Sequence, residues 1–137
     1  GFPPEHISQY CIGGATKEDA ELANRFLAQK GQEAWNTRLE RRRDGSLFIW
    51  RASVEASTIE SEMIEGQHVT FASGDHSAHL QRVAHHLRLA ADYCANERQT
   101  KMLEYLQLHF KTGELQLHKE ASKEWVLDST PTIETTI

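Results

Sequence analysis

The dipeptide Asp44-Gly45, set between "NTRLERRR" and "SLFIWRASV", constrains this chain more than any other feature. Both central positions of the tightest hairpin turn need φ > 0, which Gly takes freely and Asp tolerates. Flanked by runs of strand-forming residues, the pair predicts an antiparallel hairpin with a two-residue loop. Such a loop places Arg43 opposite Ser46, Arg41 opposite Phe48, Leu39 opposite Trp50 and Thr37 opposite Ala52, with Thr37, Leu39 and Trp50 sharing one face. The arginine run then lies at the mouth of the hairpin, where it reads as a solvated, edge-protecting cluster in preference to an anion site.

Helical spacing surrounds this hairpin. In "ATKEDAELANRFLAQKG", Thr16 and Asp19 stand at capping-box spacing, Ala20, Ala23, Phe26 and Leu27 form one stripe, and Gly31 supplies the stop. "EASTIESEMIEGQ" is acidic and poorly periodic, and reads as a long loop. "HVTFASGD" reads as a third strand, after which Asp75 or Ser77 is placed to cap "SAHLQRVAHHLRLAADYCA", expected to bury Leu80, Val83, Leu87, Ala91 and Cys94. Two further helices follow. "RQTKMLEYLQLHFKTG" carries Met102, Leu103, Leu106 and Phe110, and "ELQLHKEASKEWVLD" presents Leu115, His118 and Trp125. "TPTIETTI" closes the chain as a strand. The expected fold class is therefore α+β, a small antiparallel sheet or partial β-barrel packed against a helical layer, with residues 1–137 as a single domain.

Charge and cysteine content narrow the function classes. A net charge of -5 and a pI near 5.9 argue against nucleic acid as a partner, because phosphate binding needs a concentrated basic surface. No run is long and apolar enough to span a bilayer, so no membrane role is expected. Cys11 and Cys94 match no metal-ligand spacing and make a sparse disulfide framework, so free thiols and a cytoplasmic location are the expectation; no signal peptide is visible in "GFPPEHISQY".

Candidate chemistry is thin. The nearest approach to a metal cluster is Asp75, His76, His79, His85 and His86. His79 and His86 fall opposite Leu80, Val83 and Leu87, which reads as a solvated face, and no metal or other cofactor is expected. Gly13-Gly14 before a capped helix is most simply a turn. Asn36, Phe48, Trp50 and Trp125 are candidates for a pocket wall, against the plainer reading of the tryptophans as core. Glu134 has two readings. On an interior strand it lines a cleft, where it binds an ammonium group or moves a proton; on an edge strand it is merely solvated.

Taken in order, "FPPEHISQY", "TKEDAELANRFLAQKG", "NTRL", "WRASV", "SGDHSAHLQRVAHHLRLAADYCANERQTKMLEYLQLHF", "TGELQLHKEASKEWVLD" and "PTIET" resemble a stretch of the dipeptidyl peptidase III family of zinc-dependent dipeptidyl aminopeptidases. The resemblance spans nearly the whole chain and corresponds to a minor internal part of a two-lobed enzyme, in the lobe that has a β-barrel core and contributes the substrate-binding side of the cleft. It implies that Glu134 holds the N-terminal ammonium of a peptide. Two positions later the family has a tyrosine that hydrogen-bonds substrate, where this chain has Thr136. The family turn Asp-Lys-Gly-Pro is here Asp128-Ser129-Thr130-Pro131, and the zinc motif His-Glu-x-x-Gly-His does not occur in these 137 residues.

The resulting expectation is a zinc-free, stand-alone homologue of the substrate-binding lobe. It takes a small molecule or short peptide through Glu134 and Thr136, with Phe48, Trp50, Trp125 and Asn36 around the ligand. One alternative is a metal-independent isomerase, cyclase or lyase using Glu134 or a histidine as acid or base; another is an excised piece of a divergent enzyme. An apolar face left without its family partner makes a homodimer the expected assembly.

Overall fold

A computed structural model describes residues 10–129, which run β1 (Cys11–Ile12), α1 (Lys17–Gln29), β2 (Thr37–Arg41), β3 (Leu47–Ala52), β4 (Ser57–Ile64), β5 (Gln67–Asp75), α2 (Ser77–Ala91), α3 (Glu97–Thr112) and α4 (Leu115–Leu127). The class is α+β, as the sequence implies. The described residues form two compact units. Among the described residues, a sheet unit comprises residues 10–52 and 56–75, and a helical unit comprises residues 53–55 and 76–129.

In the sheet unit the strand order is β1-β2-β3-β5-β4. The sheet is mixed where antiparallel pairing was expected. β5 inserts between β3 and β4, so being antiparallel to β4 it runs parallel to β3, and the short β1 is parallel to β2. Placing β4 beyond β5 requires the chain after β3 to pass over the end of β5. Gly74 permits this: its φ is +108°, and a Cβ there would lie 2.6 Å from the Cβ of Ala56.

The β2–β3 hairpin forms at Asp44-Gly45 with a different loop. Only Gly45 has φ > 0, Arg42 N–H donates to the Ser46 carbonyl, and Asp44 accepts from Ser46 N–H through its carboxylate. This is a three-residue loop ending in a left-handed glycine, and it shifts every pair by one: Thr37 faces Arg51, Leu39 faces Ile49, and Arg41 faces Leu47. Leu39 and Ile49 therefore share the core face with Val69 and Phe71, and Trp50 turns to the opposite one. The acidic segment read as a loop is strand β4, joined to β5 by Glu65-Gly66, both at positive φ.

Helix α1 covers the core face. Thr16 Oγ1 accepts the Asp19 N–H at 3.2 Å and Asp19 accepts the Thr16 N–H at 2.9 Å, the reciprocal cap foreseen in the sequence. Its stripe of Leu22, Ala23, Phe26 and Leu27 packs on Leu39, Leu47, Ile49, Val69 and Phe71. The second Asp19 oxygen accepts from Arg41 at 2.6 Å, so this arginine is not part of a solvated cluster. Burial pushes the Asp19 carboxyl up, but the hydrogen bonds from Thr16 and Arg41, with the guanidinium charge, hold it below its ordinary value.

A depressed carboxylate stabilises the fold above its unfolded pKa, and that contribution is lost as pH falls through the folded one. The Arg41 side chain is 36% exposed, so solvent screens the ion pair and the cap carries more of the effect. Asp19→Asn is expected to cost about 1–2 kcal/mol at neutral pH and to flatten the loss of stability below about pH 4. Urea midpoints of both proteins across that range check it.

The helical unit has its own core of Met102, Leu103, Leu106 and Ala121, flanked by Leu87, Ala91, Cys94 and Tyr105. The start of α3 is fastened to the end of α4: Asn96 accepts the Gln99 N–H at 2.9 Å, and Gln99 Nε2 donates to Asp128 at 2.9 Å. Helix α2 departs from expectation in two ways. Its N-cap is His76, at φ 58°, with no side-chain cap bond, because Asp75 is engaged by Arg38 and Ser77 Oγ donates to the Val54 carbonyl. Its buried residue is Ala84, while Val83 joins His79 and His86 on the exposed stripe. Among the described residues, no helix is long and apolar enough to cross a membrane.

Candidate functional site

The corrected hairpin register assembles a built surface on the sheet face opposite α1. Residues 38, 40, 48 and 50 point there by alternation, and Arg42 continues the row beyond β2. Phe48 and Trp50 stack with ring centroids 4.7 Å apart at 35°. The Arg42 guanidinium lies 3.6 Å from the Phe48 centroid and 6.0 Å from that of Trp50. Trp50 Nε1 donates to Glu40 at 2.8 Å, so the indole is held at its edge by a carboxylate and its neighbouring ring is covered by a cation.

At the far end of the same face, Arg38 makes two hydrogen bonds to Asp75, at 2.9 and 2.6 Å, linking β2 to β5 across β3. The bidentate geometry fixes both side chains and leaves the pair formally neutral. The result is an apolar, π-rich strip bounded by matched charges. It suits contact with apolar or aromatic ligand groups.

Of the residues singled out from the sequence, Phe48 and Trp50 are thus brought together. Asn36 precedes β2 opposite Ala52, whose N–H its carbonyl accepts at 2.9 Å. Trp125 belongs to the helical unit, 38% exposed on α4 beside the more exposed Val126 and Leu127. Glu134 and Thr136, with the closing strand assigned to "TPTIETTI", lie outside the described residues.

Arg38, Glu40, Arg42 and Asp75 were not foreseen as parts of this surface. The signal was present in the alternation of 38, 40 and 42 against 48 and 50, but a two-residue loop puts those two sets on opposite faces.

Elsewhere, His76, His79, His85 and His86 are exposed along α2, as a solvated face requires. Among the described residues no group of three or more His, Cys, Asp or Glu converges to hold a metal ion. Cys11 and Cys94 are free thiols; burial pushes the Cys11 thiol up, away from nucleophilic use. A groove of about 210 Å³ beside α1 includes Cys11, Asn24, Trp35 and Leu39, with an apolar floor.

The model for "Peptidase family M49" matches residues 1–137. Dipeptidyl peptidase 3 of Nematostella vectensis is 32% identical over 155 aligned residues, covering 100% of this chain and 21% of the relative. The enzyme of the same name from Dictyostelium discoideum is 32% identical over 138 residues, and that from Homo sapiens 33% over 151, each covering 100% of this chain and 20% of the relative. The chain thus spans about a fifth of the length of the curated relatives it matches. With every residue inside the family match, this chain belongs to peptidase family M49.

Proposed function

We propose that this chain provides the peptide-binding side of a dipeptidyl-peptidase cleft, and that the 137 residues alone bind a short peptide without hydrolysing it. The observation that supports this reading is the family match over residues 1–137; within it, the resemblance of "PTIET" to the family's substrate-binding strand implies the anchoring role proposed for Glu134. A carboxylate facing an ammonium in a partly dry cleft is a charge-assisted pair of the strong kind. Phe48 and Trp50 are a separate proposed contact: a surface already stiffened by Arg42 and Glu40 takes up an apolar side chain with little ordering cost. Hydrolysis is assigned elsewhere, since His-Glu-x-x-Gly-His does not occur in this sequence.

Titration calorimetry with a tetrapeptide bearing a free N-terminus tests the proposal. Glu134→Gln is expected to weaken binding roughly 10- to 100-fold, and N-acetylation of the peptide to weaken it equally. Unchanged affinity in the variant removes the anchor, and release of dipeptides by the 137-residue chain with added zinc removes the binding-only reading.

A further inference from the structure

The corner between α3 and α4 is closed by one imidazole and covered by another. Gly113 ends α3 at φ 79°, its N–H donating to the His109 carbonyl at 2.7 Å. The His109 side chain, on a residue only 9% exposed, brings Nδ1 within 3.0 Å of the carbonyl of Glu114, the residue that caps α4. His109 thus holds both sides of the turn, through its carbonyl and through its ring N–H. His118, one turn into α4, lies over it with ring centroids 5.4 Å apart at 46°, and Phe110 flanks His109 at 5.2 Å.

We infer that His118 is a proton-sensitive keystone of the helical unit: neutral, it packs on His109 and keeps the α3–α4 corner closed, and on taking a proton it loosens that corner. Three features of its position oppose a positive charge. It is partly withdrawn from water, its ring faces a second imidazole, and it sits in the early turns of α4, where the helix dipole is itself positive.

Among the described residues, neither ring has an ion pair or hydrogen bond with an ionisable side chain of α2, α3, α4 or the Ser53–Glu55 segment. The nearby Lys111 is paired with Glu55 at 3.8 Å. Burial, and then the charge of His109, push the His118 imidazole below its ordinary value. For a histidine so depressed the unfolded chain takes the proton first. Stability is therefore full above the unfolded pKa and declines as pH falls from there through the folded pKa.

The test combines a titration with a substitution. In the 137-residue protein, NMR of the imidazole protons should show His118 titrating below the ordinary histidine value. The denaturant midpoint followed by helical circular dichroism should fall from about pH 8 to about pH 5, and His118→Gln should lessen that fall. A His118 titration at or above the ordinary histidine value overturns the inference. So does a His118→Gln protein whose midpoint falls with pH as steeply as the wild type. The titration is read on unsubstituted protein, so a variant that fails to fold does not shield the claim.

Discussion

Replacing Gly13 with alanine is expected to cost about 3 kcal/mol or more of folding free energy. Gly13 sits at φ +70°, just after β1, where the chain turns toward α1 against the last residue of β2. A Cβ there would lie 2.0 Å from the Arg41 carbonyl oxygen and 3.0 Å from its carbon, both backbone atoms of a paired strand. Neither can move without disturbing the β1–β2 ladder or the Arg41 contact with Asp19.

Gly14 provides an internal control. Its φ of +77° carries the same conformational penalty, yet a Cβ there meets nothing within 4 Å. Gly14→Ala should therefore cost only about 1 kcal/mol, and the difference between the two variants isolates the steric part. Guanidinium unfolding of the three proteins measures it. Equal midpoints for the two variants would mean that β1 does not press on β2 as described.

The second large effect is expected at Phe26. It is 0% exposed, at the centre of the α1 stripe, and belongs to the cluster that joins Leu22, Ala23 and Leu27 to Leu39, Leu47, Ile49, Val69 and Phe71. Phe26→Ala removes a ring that the surrounding strands cannot collapse to replace, and should cost about 3–5 kcal/mol. Phe26→Leu, which keeps most of the volume, should lose much less. A small loss for the alanine variant in the same guanidinium experiment would show that α1 is not the principal cover of the sheet.

Helix α1 was legible because all its signals are local: the Thr16 and Asp19 cap, the stripe and the terminal glycine lie within a few residues of one another. The β2–β3 hairpin was legible in place and not in register. Asp44 and Gly45 satisfy a two-residue loop, but the Asp44 carboxylate instead captures Ser46 N–H and O–H, and Gly45 alone takes the left-handed conformation.

Strand β4 was missed for the opposite reason. Its true two-residue turn is Glu65-Gly66, with glutamate at φ 50°, a residue that gives no turn signal. Its glutamates are satisfied only through the third dimension. Lys30 reaches Glu60 and Glu62, and Arg25 reaches Glu65 at 2.8 and 3.1 Å, so an acidic strand is tied down by a basic edge of α1.

The candidate surface inherits the register error. Phe48 and Trp50 were named from residue type, but their partners could be found only once the loop was known to hold three residues. The exposed Val83 beside His79 and His86 was misplaced for want of knowing which side of α2 faces α3.

The exchange of order between β4 and β5 bears on how the sheet comes together in time. Each of its two hairpins can zip from a turn already in hand, one at Gly45 and one at Glu65-Gly66. The seam between them, Phe48 to Thr70 and Ile49 to Phe71, joins strands running the same way with a whole strand of intervening sequence to be looped out. Such closure forfeits chain freedom before any contact repays it, so the seam is where assembly should be slowest. The two preformed ribbons should wait on that single docking event before α1 finds a complete surface to cover.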